Sequence, residues 1–228
     1  MNFVGTFDGD NHTISNLKIT NTSTYSGLFG KTSGTLKNFT LKGNITLSAD
    51  SDMIGGVVGY ADGSTISNVT SYVNISNTEG TLKHIGGVVG GIDNKNTVVD
   101  KCVYYGTLNI SNSHDCIGGI VGYTNAGARI SNCANHGTVT TSEAGAYTGG
   151  ILGYVNNSNP TIKDCYNFGT VSNGDSTQSY IEQDESNIST GEAVSVCVVI
   201  SSLLLIISVL VIYFCTKNGK RNSIHSSE

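Results

Sequence analysis

Ile54-Gly55-Gly56-Val57-Val58-Gly59 returns as Ile85-Gly86-Gly87-Val88-Val89-Gly90, as Ile117-Gly118-Gly119-Ile120-Val121-Gly122 and as Thr148-Gly149-Gly150-Ile151-Leu152-Gly153. A shorter variant, Ser26-Gly27-Leu28-Phe29-Gly30, precedes them. The glycine before each apolar pair falls at 27, 56, 87, 119 and 150, giving intervals of 29, 31, 32 and 31 residues. A fixed period of this size marks units that stack, each burying one face against its neighbours and unable to fold alone.

A second motif repeats within each unit. It runs Ile14-Ser15-Asn16-Leu17, Leu36-Lys37-Asn38-Phe39, Ile66-Ser67-Asn68-Val69, Val99-Asp100-Lys101-Cys102, Ile130-Ser131-Asn132-Cys133 and Ile162-Lys163-Asp164-Cys165. The two apolar residues are three apart, whereas strand alternation would place them two apart. A corner explains this: one strand ends, a polar residue turns the chain, and the next strand begins with its side chain inward. Asn and Asp tolerate the left-handed backbone that such a corner needs; Lys101 departs from that pattern. Alternation resumes afterwards, as in Cys133, Asn135, Gly137 and Val139.

These features predict an all-β chain: a parallel β-helix or solenoid of about five repeats of roughly 31 residues, with one transmembrane α-helix appended. Five rungs stacked at about 4.8 Å would stand only about 25 Å tall. A propeller blade would need a repeat near 40 residues. Phe39, Val69, Cys102, Cys133 and Cys165 occupy one slot of the corner motif and are expected to form a core ladder. Cys there would behave as a small hydrophobe. The alternative is a disulfide between neighbouring rungs, which an oxidising exterior would favour.

Composition agrees with this reading. Charged residues are only 13% of the 228, Gly supplies 29, Trp is absent, and Pro160 is the sole proline. Ser, Thr, Asn and Gly compete with helical hydrogen bonding. The net charge is −5, which makes the chain a poor partner for nucleic acid.

Gly27-Leu28-Phe29-Gly30, with the lead-in Phe7-Asp8-Gly9 and His12-Thr13-Ile14-Ser15-Asn16-Leu17, resembles GLUG repeats, which occur in large surface proteins of bacteria and some protozoan parasites. The resemblance extends over about residues 3 to 173. It implies a right-handed β-helix-like fold and a surface or adhesive role. It implies no activity, because the repeat carries no known catalytic residues.

Residues 1–173 are therefore read as the solenoid ectodomain, 174–192 as an acidic polar stalk, 193–215 as a transmembrane helix and 216–228 as a short basic tail. Ala193 to Cys215 is uncharged for 23 residues, and a span needs roughly 20. Lys217, Lys220 and Arg221 follow it, so the positive-inside rule places the C-terminus in the cytoplasm and the repeats outside the plasma membrane. No basic or apolar leader follows Met1, and the sequence opens inside its own repeat pattern. A piece of a longer exported protein is expected; a tail-anchored chain with cytosolic repeats is the other arrangement.

Nine Asn-x-Ser/Thr sequons precede the span. Asn11, Asn21, Asn44, Asn74, Asn109, Asn156 and Asn187 are the glycosylation candidates. Asn38 and Asn68 lie at corners, where their side chains are expected to bond neighbouring rungs instead. His12, His84, His114, His136 and His225 show no zinc spacing, and Asp8-Gly9-Asp10-Asn11 lacks the later Glu of a calcium loop and reads as a plain turn. Asp50, Asp52, Asp62, Glu79, Asp93, Asp115 and Glu143 are placed mostly in connections between strands. No cofactor, metal or catalytic residue is predicted. The expected function is adhesion or surface coating, with a host-cell or extracellular glycan or protein as ligand. The alternatives are a carbohydrate lyase or hydrolase on the same scaffold, or a spacer for a binding domain upstream.

Overall fold

A computed structural model describes residues 1–20, 24–111, 116–142, 146–156 and 158–172. The expected stalk, span and tail, the sequons Asn21 and Asn187, and His114, Asp115, Glu143 and His225 lie outside these residues. Among the described residues no helix is long and apolar enough to cross a membrane.

The chain winds as a parallel β-solenoid. One circuit is seen in Ser51–Gly55, Val58–Ala61 and Thr65–Asn77. Each of these strands pairs in parallel with its counterpart in the next circuit: Ile54 with Ile85, Val58 with Val89, and Ile66 with Val99. Stacking produces a four-stranded sheet, a six-stranded sheet and a long bent sheet of twelve strands. The expected solenoid is thus the observed one.

The glycine motif sits where the four-stranded sheet turns into the six-stranded sheet. Ile54, Val57 and Val58 are buried in the core, as are Ile85, Val88 and Val89 one circuit on. Each such side chain stabilises by about 1.5–3 kcal/mol on full burial. The walls close tightly here. A Cβ on Gly87 would lie 2.5 Å from the Tyr104 ring, which reaches across from the long sheet. Tyr104 is fully buried, and its hydroxyl donates to the Val73 carbonyl at 3.0 Å. The second glycine of the motif therefore makes room for the opposite wall.

The corner motif takes the backbone expected of it. Asn38, Asn68, Asn132 and Asp164 all have positive φ, between 52° and 58°. Asn16 is left-handed too, at 65°, but Ile14-Ser15-Asn16-Leu17 is not the first circuit's copy of the corner: Ile14 pairs with Leu41 and Leu17 with Gly43, and the counterpart of Asn38 lies between Asp8 and His12. Lys101 adopts φ 52° as well: the residue type departs from the pattern and the conformation does not. A further expectation changes. In the first three circuits the strand does not end at the corner but continues through it, as Thr6–Ile19, Thr35–Leu47 and Thr65–Asn77. In the second and third of these a single left-handed residue redirects the chain while pairing to the next rung resumes on both sides of it, whereas the first turns through Asp10 and Asn11, with Asp8 paired to Lys37 and His12 to Phe39. The Asp8-Gly9-Asp10-Asn11 stretch is a bulge inside the first long strand, where pairing jumps between Asp8 and His12, and the Asp10 amide donates to Asp8 Oδ1 at 3.1 Å.

Phe39, Val69, Cys102, Cys133 and Cys165 are all buried and stack in register. The three cysteines are thiols. Each donates to the carbonyl two residues before it: Cys102 to Asp100 at 3.4 Å, Cys133 to Ser131 at 3.1 Å and Cys165 to Lys163 at 3.3 Å. Hydrogen bonding with Cys102, together with burial, holds the Cys133 thiol above its ordinary pKa; Cys133 and burial do the same to Cys165.

Candidate ligand-binding face

Beyond the corner, the long sheet alternates inward and outward side chains. In the third circuit Val73 and Ile75 point into the core, so Tyr72, Asn74 and Ser76 point out. Parallel pairing places Lys42, Asn44 and Thr46 beside them on one side. On the other side follow Tyr105, Thr107 and Asn109, then His136, Thr138 and Thr140, then Phe168, Thr170 and Ser172. Three outward columns result, running parallel to the stacking direction.

The first column is aromatic. Ring centroids are 5.0 Å apart for Tyr72 and Tyr105, 4.8 Å for Tyr105 and His136, and 4.9 Å for His136 and Phe168, with planes 11°, 10° and 18° apart. These distances reproduce the strand spacing. Tyr72, Tyr105 and Phe168 are 39%, 45% and 65% exposed. Lys42 Nζ covers the Tyr72 end, 5.1 Å from the ring centroid.

The other two columns carry amides and hydroxyls. Asn74 Nδ2 donates to Asn44 Oδ1 at 3.1 Å, and Asn74 Oδ1 accepts from the Thr107 amide at 3.0 Å. Ser172 Oγ donates to Thr140 Oγ1 at 3.2 Å. The formal charges on the three columns are Lys42 and Lys18, which pairs in register with Asn44, both at the first-circuit end. At the first-circuit end, Leu17, Lys18, Thr20, Asn44 and Thr46 line a shallow open depression of about 250 Å³.

A second aromatic cluster lies on the six-stranded sheet. Tyr60, Gly91, Tyr123 and Tyr154 share one register position, and Met53 covers the gap at Gly91, where a Cβ would lie 3.1 Å from its Sδ. This cluster is satisfied internally. Lys31 Nζ sits 4.6 Å over the Tyr60 ring and 3.3 Å from Asp62 Oδ2, and the Tyr123 hydroxyl accepts from Asn156 Nδ2 at 3.2 Å. Burial, then the charges of Asp93 and Asp62, push the Tyr60 hydroxyl up to about 12. His84 packs its ring 4.3 Å from Tyr123 and places Nδ1 2.5 Å from Asp52 Oδ1. Of the acids expected in connections, Asp52 lies in a strand, Ser51–Gly55.

The sequons divide by environment. Asn44, Asn74 and Asn109 stand exposed on the candidate face, Asn11 is exposed at the bulge, and Asn156 is half-buried beneath Tyr123. Asn38 and Asn68 bond along the corner as expected. Asn68 Nδ2 donates to Asn38 Oδ1 at 2.9 Å, and Asn38 Nδ2 donates to Asp8 Oδ1 at 3.0 Å. Among the described residues no group of three or more His, Cys, Asp or Glu could hold a metal ion.

Residues 113–140 match the GLUG motif. The motif lies within the parallel β-solenoid. The matched stretch holds the Ile117 glycine segment, the Asn132 corner and the His136, Thr138 and Thr140 rung of the candidate face. It is not the Gly27-Leu28-Phe29-Gly30 region on which the resemblance first rested. The chain is also 38% identical, over 91 residues, to halomucin from Haloquadratum walsbyi (strain DSM 16790 / HBSQ001). That match covers 39% of this chain and 1% of halomucin. In fold it is similar to a Bacteroides ovatus protein assigned as a candidate immunoglobulin A1 protease, with a TM-score of 0.50 and 18% identity. The alignment covers 82% of this chain and 66% of that one, and at such identity the likeness is of fold alone.

The aromatic column was not anticipated from sequence, although a signal for it exists. Tyr72, Tyr105, His136 and Phe168 each follow the ladder residues Val69, Cys102, Cys133 and Cys165 by three positions. The residue type changes from rung to rung, and only the constant offset reveals the column.

Proposed function

We propose that this chain is displayed at the cell surface, held by a single span over residues 193–215, and acts in adhesion or surface coating through its solenoid. The observation that carries the reading is the outward face of the long sheet: three regular columns, aromatic and polar, with formal charge confined to Lys42 and Lys18 at one end. A stacked scaffold repeats the same shallow contact rung after rung, which suits multivalent binding, where linked weak contacts exceed any one of them. The similarity to halomucin supports a surface placement, as does the uncharged stretch followed by Lys217, Lys220 and Arg221.

The test uses the full chain expressed in cells, with an epitope after Glu228. Protease added outside should remove the repeats, the epitope should stain only after permeabilisation, and expressing cells should adhere to coated surfaces more than control cells. Staining of intact cells, protection of the repeats, or unchanged adhesion would overturn the reading.

A further inference from the structure

We propose that the face formed by Tyr72, Tyr105, His136, Phe168 and the polar columns beside them binds a neutral, linear polysaccharide laid along the stacking direction. This rests on the reading above that the face is a contact surface, and it names the ligand class.

The first argument is ring geometry. Stacked carbons touch at about 3.5–4.0 Å, whereas these centroids are 4.8–5.0 Å apart with planes 10–18° apart. The rings thus follow one another at the strand spacing as a continuous apolar strip, and Tyr72, Tyr105 and Phe168 all keep exposed surface along it. The C–H groups of a pyranose pack against such a strip and leave its hydroxyls to the polar columns.

The second argument is the pairing of apolar and polar columns. A sugar offers C–H groups on its faces and hydroxyls around its rim. One strand position across from the rings stand Asn74, Thr107, Thr138 and Thr170. A hydroxyl has one donor and two acceptor sites, so those already bonded within a column keep capacity facing outward. The third is period. An extended chain of hexopyranoses joined through equatorial positions advances by close to one rung per sugar, so several sugars meet equivalent groups on successive rungs.

Charge selects the polymer. A sulfated or uronic acid chain, or a nucleic acid, would need cations along its track. Here Lys42 stands at one end, Lys18 lines the depression beyond it, and the net charge is −5. That depression extends the polar columns past Asn44 and Thr46, giving a chain room to continue.

The experiment takes the full chain in detergent, treated to remove any N-glycans from Asn44, Asn74 and Asn109, and measures co-sedimentation with cellulose, chitin and an insoluble neutral β-glucan. Soluble alginate and heparin serve as anionic probes. Binding to at least one neutral polymer should survive half-molar salt. Tyr105→Ala should weaken it about tenfold or more, with Tyr105→Phe close to the parent. Tyr60→Ala, on the other sheet, should leave binding unchanged, and far-UV circular dichroism should show every variant folded. Equal binding by a folded Tyr105→Ala protein, binding only to the anionic probes, or no binding to any polymer would overturn the proposal. If Tyr105→Ala cells still adhere and display the chain normally, the surface reading survives and the glycan site fails. If the topology is wrong while purified chain binds, the reverse holds.

Discussion

The ring of Tyr105 lies 4.8 Å from the imidazole of His136, with the two planes 10° apart. These residues are 31 positions apart in the chain and one rung apart in space. Edge-matched stacks of this kind contribute about 0.5–1.5 kcal/mol beyond area burial. A double-mutant cycle with Tyr105→Ala and His136→Ala, read by thermal or denaturant unfolding, should return a favourable coupling in that range. Strict additivity of the two losses would mean that the stack is only a consequence of register.

Lys101 is expected to be the weakest corner. It holds φ 52° with a full side chain, at a position where the corners of the neighbouring circuits carry Asn38, Asn68, Asn132 and Asp164. Lys101→Asn should therefore stabilise the solenoid by about 1 kcal/mol. The new amide would also stand between the Asn68–Asn38 bonds on one side and the Asn132–Asp100 bond on the other. A lower melting temperature in the Asn variant would show that the lysine makes a compensating contribution.

The thiol column should be inert while the chain is folded. Cys102, Cys133 and Cys165 are buried, and Cys133 and Cys165 are held above the ordinary thiol pKa by their thiol neighbours and by burial. The thiolate is the reactive form. Alkylating reagent should label these three only after denaturation. Mass spectrometry of unreduced peptides should find no bond among them; a disulfide between any two would overturn the thiol assignment.

Acid should weaken the corner that Asp8 and Asp100 share with their neighbours. The Asp8 carboxylate lies below its ordinary pKa because it accepts from the Asp10 amide, from Asn38 and from Lys37. At Asp100 burial acts upward, and bonds from Ser131 at 2.7 Å and Asn132 at 2.8 Å outweigh it. A carboxylate lowered in the folded state contributes stability that is present above its unfolded pKa and lost as pH falls through the folded one. Urea midpoints should thus fall below about pH 4, and Asp100→Asn should flatten that decline. At the alkaline end the sign reverses. Tyr60 is raised from 10.0 to about 12, so its contribution should disappear across that interval. A midpoint independent of pH on the acid side would contradict the assigned hydrogen bonds.

The period of about 31, the solenoid, the left-handed corners and the burial of Phe39, Val69, Cys102, Cys133 and Cys165 could all be read from the residues alone. The reason is that inward positions answer to one narrow core. Every circuit must close against the opposite wall, so Gly, a branched aliphatic or a small hydrophobe recurs at the same offset, and the repetition is legible. Outward positions answer to no such demand. Lys42, Tyr72, Tyr105, His136 and Phe168 hold one column with four residue types, and Asp52 meets His84 across 32 positions with no motif to mark the pair. Which outward side chains touch depends on register to a single residue, because a slip of one would turn every side chain to the other face. That register is set jointly by the buried apolar ladders, the corner backbone and the close approach of Gly87 to Tyr104. It exists only once the circuits have stacked, so the sequence by itself determined the scaffold, and the tertiary structure alone decided which residues share the exposed face.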